Sequence, residues 1–131
     1  MKQLSEEATN ILTQMIDMMK GWCIKMDNSD GACKPVFISF NYEDSDSKIF
    51  VVGHYYSEEG EIMADPEMHF LYDVRVGSFF PIYYRHDSLD VEQSSVIIVD
   101  GLILKVNQAL QVDHTDFANN WLRNIRYQQN L

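Results

Sequence analysis

Residues 36–56 read VFISFNYEDSDSKIFVVGHYY, and the fold follows from this run. Val36, Ile38, Phe40 and Tyr42 alternate on one side with Phe37 opposite, the two-residue period of a strand. Glu43 to Ser47 is a polar loop, and Ile49–Tyr56 is a second run rich in β-branched and aromatic residues. The two segments are predicted to pair as an antiparallel hairpin with an acidic tip.

Working outward, Asn28-Ser29-Asp30-Gly31 reads as a turn ahead of the first strand. Before it, residues 5–20 carry a helical stripe of Ala8, Ile11, Leu12, Met15, Ile16, Met19 and Trp22, with Ser5 as the cap, Glu6 and Glu7 at the positive end and Gly21 as the stop. After the hairpin, Ser57–Gly60 turns again and Asp65-Pro66 acts as a breaker. Segments 68–74 and 79–85 flank Gly77-Ser78 as a second hairpin, with Pro81 pointing to an edge position or a late start of the later strand. Residues 88–92 read as a turn or short helical piece, and 95–99 as a strand closed by Asp100-Gly101. The apolar spacing of 102–112 suits either a short helix or a strand. Asp113-His114-Thr115-Asp116 resembles a capping box ahead of a helix whose apolar face is Phe117, Trp121, Leu122 and Ile125. The expectation is a single α+β domain over residues 1–131, an antiparallel sheet of about four or five strands packed against an N-terminal and a C-terminal helix.

The charge of −10 is concentrated: residues 27–67 hold ten acids against Lys34 and Lys48, while residues 1–26 are neutral. Such a field repels nucleic acid and anionic membranes and favours basic partners. Aromatics are interleaved with acids rather than bases, which argues against a nucleic-acid platform. The N-terminus lacks a basic region followed by an apolar core, and no apolar run reaches the length of a membrane span, so a cytoplasmic protein without membrane contact is expected. Cys23 and Cys33 sit in no metal-binding spacing and are expected to be free thiols.

Chemistry-bearing residues concentrate between His54 and Asp87, HYYSEEGEIMADPEMHFLYDVRVGSFFPIYYRHD, which holds three of the four histidines. The best metal constellation is His54, Asp65, Glu67 and His69, with His86 and Asp87 nearby, but the spacing matches no helical zinc motif. There is no nucleophile elbow and no glycine-rich phosphate cradle. No catalytic residue, metal ligand or cofactor is therefore assigned. The functional surface is expected to centre on His54, Tyr55, Asp65, Glu67, Tyr84 and Asp87, gathered at loops of one sheet end.

At His54-Tyr55-Tyr56, Gly60-Glu61-Ile62-Met63, Asp65-Pro66-Glu67-Met68-His69-Phe70 and Tyr84-x-x-Asp87 the chain resembles an uncharacterised domain common in plasmids, conjugative transposons and phages. The resemblance covers about residues 48–127, including the terminal helix. The chain departs from the pattern at Glu58-Glu59, where an asparagine is usual, and lacks a glycine commonly found after Leu89. What the resemblance implies is a bacterial, cytoplasmic accessory protein of a mobile genetic element, with no mechanism attached. Two functions compete: a non-enzymatic protein-interaction module taking a basic host or element-encoded partner, and a small metal-dependent hydrolase using His54, Asp65 and Glu67.

Overall fold

A computed structural model describes residues 1–131. Helix α1 spans Glu6–Asp17, and Ser5 caps it by accepting from the Ala8 amide at 3.1 Å. Eight strands follow: β1 Cys23–Met26, β2 Val36–Glu43, β3 Ser47–Glu58, β4 Glu61–Asp73, β5 Ser78–His86, β6 Val91–Ser94, β7 Val96–Val99 and β8 Leu102–Val106. A 3-10 turn at Asp87–Leu89 separates β5 from β6, and helix α2, Gln108–Gln128, closes the fold. Strands β1 to β6 form one antiparallel sheet in chain order, and β7 and β8 form a separate hairpin.

The α+β class and the helix at either end are as expected, but the strands number six plus two rather than four or five. The unread strands, β1 and β6, are four residues each and form the two edges of the sheet. Both are too short and too exposed for alternation to register.

Other expectations are corrected by tertiary context. Helix α1 ends at Asp17, so Trp22 leaves the apolar stripe and stands 72% exposed. Asp65-Pro66 does not break a strand; β4 runs through it. Gly53 pairs with Glu67 and Tyr55 with Ala64, so β4 carries one extra residue there and the cis Asp65-Pro66 pair bulges opposite His54. Pro81 lies on the part of β5 that β6 does not reach, since that pairing starts at Tyr83, so its edge position holds; it also sits at a register shift, and its carbonyl accepts from the Gln111 side-chain amide at 3.2 Å. Residues 102–112 divide, the first part forming β8 and the rest the opening of α2. Asn107 is the true cap of α2, accepting from the Leu110 amide at 3.1 Å, and Asp113 to Asp116 lie inside the helix.

Both helices cover one face of the sheet. Ala8, Ile11, Leu12 and Met15 of α1 and Ala118, Leu122 and Ile125 of α2 bury Val36, Ile38, Val52, Met68 and Phe70. Two buried glutamines fasten the chain ends. Gln111 brackets Lys2, accepting from its amide and donating to its carbonyl at 2.7 and 2.8 Å. Gln129 accepts from the Asn28 amide and donates to the Lys34 carbonyl, which fixes the β1–β2 loop. The hairpin β7–β8 covers part of the opposite face, where Val96, Ile98 and Val106 meet Leu71, Ile82 and Phe80. Its tip is pinned at Gly101, whose backbone (φ +80°) lies too close to Asp44 and Tyr42 for a side chain to fit.

Candidate functional site

The uncovered half of that opposite face is crossed by one continuous row of paired residues: Lys25, Phe37, Gly53, Glu67, Arg85 and Glu92, one from each strand. Their neighbours Ile38, Val52, Met68 and Tyr84 face the helices, so strand alternation puts the row on the far side. Gly53 is the gap in the row. The ring of Tyr55 fills it so closely that a Cβ there would meet ring atoms and hydroxyl at 2.6 Å. From that position the Tyr55 hydroxyl donates to Glu67 Oε1 at 2.7 Å. His69 Nε2 binds the other carboxylate oxygen at 2.9 Å, and its ring lies 4.2 Å from that of Tyr83.

The electrostatics follow from these contacts. His69 and then Tyr55 hold the Glu67 carboxyl below its ordinary value, against the opposing effect of burial. Burial, reinforced by the Glu67 anion, pushes the Tyr55 hydroxyl far up. Tyr83 is pushed to about 12, first by burial and then by Glu92. Arg85 forms a two-pronged pair with Asp87, 2.8 Å at each contact, and Asp87 Oδ2 also accepts from the Ala64 amide at 2.6 Å. These bonds lower Asp87 to about 2, Arg85 contributing most.

Of the six expected site residues, Tyr55, Glu67 and Asp87 therefore lie on or beside the open face. The others do not join them. His54 turns toward α2: its Nδ1 donates to the Pro35 carbonyl at 2.9 Å, its ring lies 5.8 Å from that of Trp121, and burial lowers its pKa. Tyr84 packs between His114 and Phe117 on the same side and makes no bond with Asp87. Asp65, in the bulge, is held by Lys34 and by His86 Nε2, which together keep its carboxyl low, Lys34 most strongly.

The His54, Asp65, Glu67 and His69 constellation is thus divided between two faces of the sheet, and no group of three or more metal-ligating side chains converges anywhere. Asp65, His86 and Ser88 do not form a catalytic relay either. The carboxylate and the Ser88 hydroxyl address the same nitrogen, Nε2, while Nδ1 is buried without a partner.

One surface escaped the sequence reading. Trp22, Phe40, Asn41, Tyr42, Glu43, Asp44 and Ser45 line an open groove of about 690 Å³ beside the β1 edge. The indole of Trp22 lies 5.7 Å from the Phe40 ring, and its carbonyl accepts from the Phe40 amide at 2.8 Å. Asp44 takes the Asp46 and Ser47 amides on one oxygen and the Tyr42 hydroxyl on the other, each at 2.8 Å. The Asp46 amide is the largest cause of its lowered pKa. Gly21, directly before Trp22, was the signal that the helical stripe had ended.

The family model of a domain of unknown function, DUF6908, matches residues 6–131, from the first residue of α1 to the last of the chain. The chain belongs to this family. DUF6908 membership thus covers both helices and all eight strands, a longer stretch than the resemblance at 48–127. No curated protein and no solved structure matches the chain. No helix is long and apolar enough to cross a membrane.

Proposed function

We propose that this DUF6908 domain is a non-enzymatic accessory module of a mobile genetic element that acts in the cytoplasm by binding a basic protein, host- or element-encoded. One observation carries the reading. Asp27, Asp30, Glu43, Asp46, Glu58, Glu59 and Glu61 are all exposed, and none has an ion-pair partner. They lie in loops and at strand ends, where they add little to the fold, and they fall at both ends of the sheet: Glu43 and Asp46 beside the β2–β3 turn, Glu58, Glu59 and Glu61 at the β3–β4 turn a full strand length away. A field of that sign, spread over both ends of the sheet, steers a basic protein into contact and repels nucleic acid. The mobile-element setting is supported by the resemblance over residues 48–127.

The test is cross-linked capture from host cells at low and at high salt. A Glu43→Gln, Asp46→Asn, Glu58→Gln, Glu59→Gln variant should melt within about 2 °C of the native chain, because exposed substitutions cost little. It should also lose the basic partner that the native chain retains. Equal capture by both proteins would refute the proposal.

A further inference from the structure

We infer that the groove beside β1 takes an arginine side chain of the partner, stacked on Trp22 and bonded to the carboxylate of Glu43. The inference rests on the reading of this chain as a binder of basic protein and assigns the point of contact.

Three observations converge. First, Trp22 is 72% exposed and its indole is supported on one side by Phe40, so the opposite side of the ring system is free to receive a ligand. Second, the chain already places cations over aromatic rings elsewhere. Lys25 Nζ sits 5.9 Å from the Phe37 ring centre and Lys34 Nζ 5.5 Å from that of Tyr56. Trp22, the ring type that binds cations best, carries none. Third, the groove is lined by two carboxylates and no lysine, arginine or histidine. Asp44 is taken up by the Tyr42 hydroxyl, two backbone amides and the hairpin tip at Gly101, which leaves the exposed Glu43, with no ion-pair partner, as the carboxylate that meets the ligand. Arginine fits better than lysine because its planar guanidinium stacks on an indole while its edge donates to carboxylates. Beyond the Lys20–Cys23 bridge, no strand pairs with the outer edge of β1, so an extended segment bearing the arginine can run alongside Ile24 to Met26. An anionic membrane, the other usual destination of an exposed tryptophan, is disfavoured by the acidic rim.

The probe is a blocked Gly-Arg-Gly-Arg-Gly peptide, compared with its citrulline counterpart, which has nearly the same shape without the charge. Trp121 is only 7% exposed, so a change in accessible tryptophan emission reports Trp22. The arginine peptide should give a saturable change. Affinity, measured by calorimetry, should fall at least about tenfold for citrulline and for Trp22→Ala, and by a smaller factor for Glu43→Gln. Unchanged melting curves would show that both variants fold. Equal binding of the two peptides, or binding retained by Trp22→Ala, would overturn the inference. So would a shift of Trp22 emission in phosphatidylcholine–phosphatidylglycerol vesicles with no response to peptide. If the peptide fails while the four-carboxylate variant still loses the cellular partner, only the groove assignment falls; if neither effect is seen, both proposals fall.

Discussion

Replacing Tyr55 with phenylalanine removes one oxygen and leaves the ring over Gly53. The lost bond is the 2.7 Å contact to Glu67 Oε1, and the Glu67 side chain is only 16% exposed, so water is a poor substitute. A hydrogen bond to a charged group contributes about 1.5–3 kcal/mol. For a chain of 131 residues, each kcal/mol corresponds to roughly 4 °C in melting temperature. Tyr55→Phe should therefore lower the midpoint by about 6–12 °C, read by circular dichroism at neutral pH. The pH dependence gives a second check. Glu67 titrates below its ordinary 4.5 in the folded protein. A depressed folded pKa supplies stability that is complete above the unfolded value and is lost as pH falls through the folded one. The Tyr55→Phe deficit should accordingly be full at neutral pH and shrink below pH 4.5. A midpoint within about 2 °C of the native protein, or a deficit that grows in acid, would refute the reasoning.

Gly53→Ala places a Cβ 2.6 Å from the Tyr55 ring and should cost about 1–3 kcal/mol; combining it with Tyr55→Ala should cost less than the sum of the two, as a double-mutant cycle will show. Asn107→Ala removes the cap of α2 and should cost about 1 kcal/mol in denaturant unfolding, whereas Asp113→Ala, inside the helix, should cost less. Burial lowers the pKa of His54 and His114, so the unfolded chain takes up protons first as pH falls below 6.5 and stability should decline; a His54→Gln, His114→Gln variant should show a flatter profile between about pH 7 and pH 5. Titration without reductant should find two free thiols, Cys23 and Cys33.

The parts of the fold legible in the sequence are those governed by local pattern. The alternation of Val36 to Tyr42 and the stripe of Ala8 to Met15 each report a buried face directly. What stayed hidden depends on neighbours distant in sequence. Asp65-Pro66 reads as a break, yet a bulge opposite His54 lets β4 pass through it. Asp113 to Asp116 mimics a cap because its composition is right, but Asn107 has already started the helix. The candidate site divided for a related reason. His54 and Tyr55 are adjacent in sequence, and adjacency in a strand sends side chains to opposite faces. The density of chemical groups between His54 and Asp87 was real, but the sheet distributes it over two surfaces. Trp22 was missed because its spacing continued a helix that in fact stops at Asp17, five residues before it.

The sheet pairs each strand only with its neighbours in the chain, β1 to β6 in order. Such a sheet has low contact order, since no pairing has to wait for a distant segment. Its helix-facing side is another matter. The bonds from Gln111 to Lys2 span 109 residues, and Arg123 reaches Glu7 across 116. During synthesis, therefore, the whole meander can form while Met68 and Phe70 still lack α2 above them. The stage most open to aggregation, and most in need of a chaperone, is that of a finished sheet awaiting its last helix.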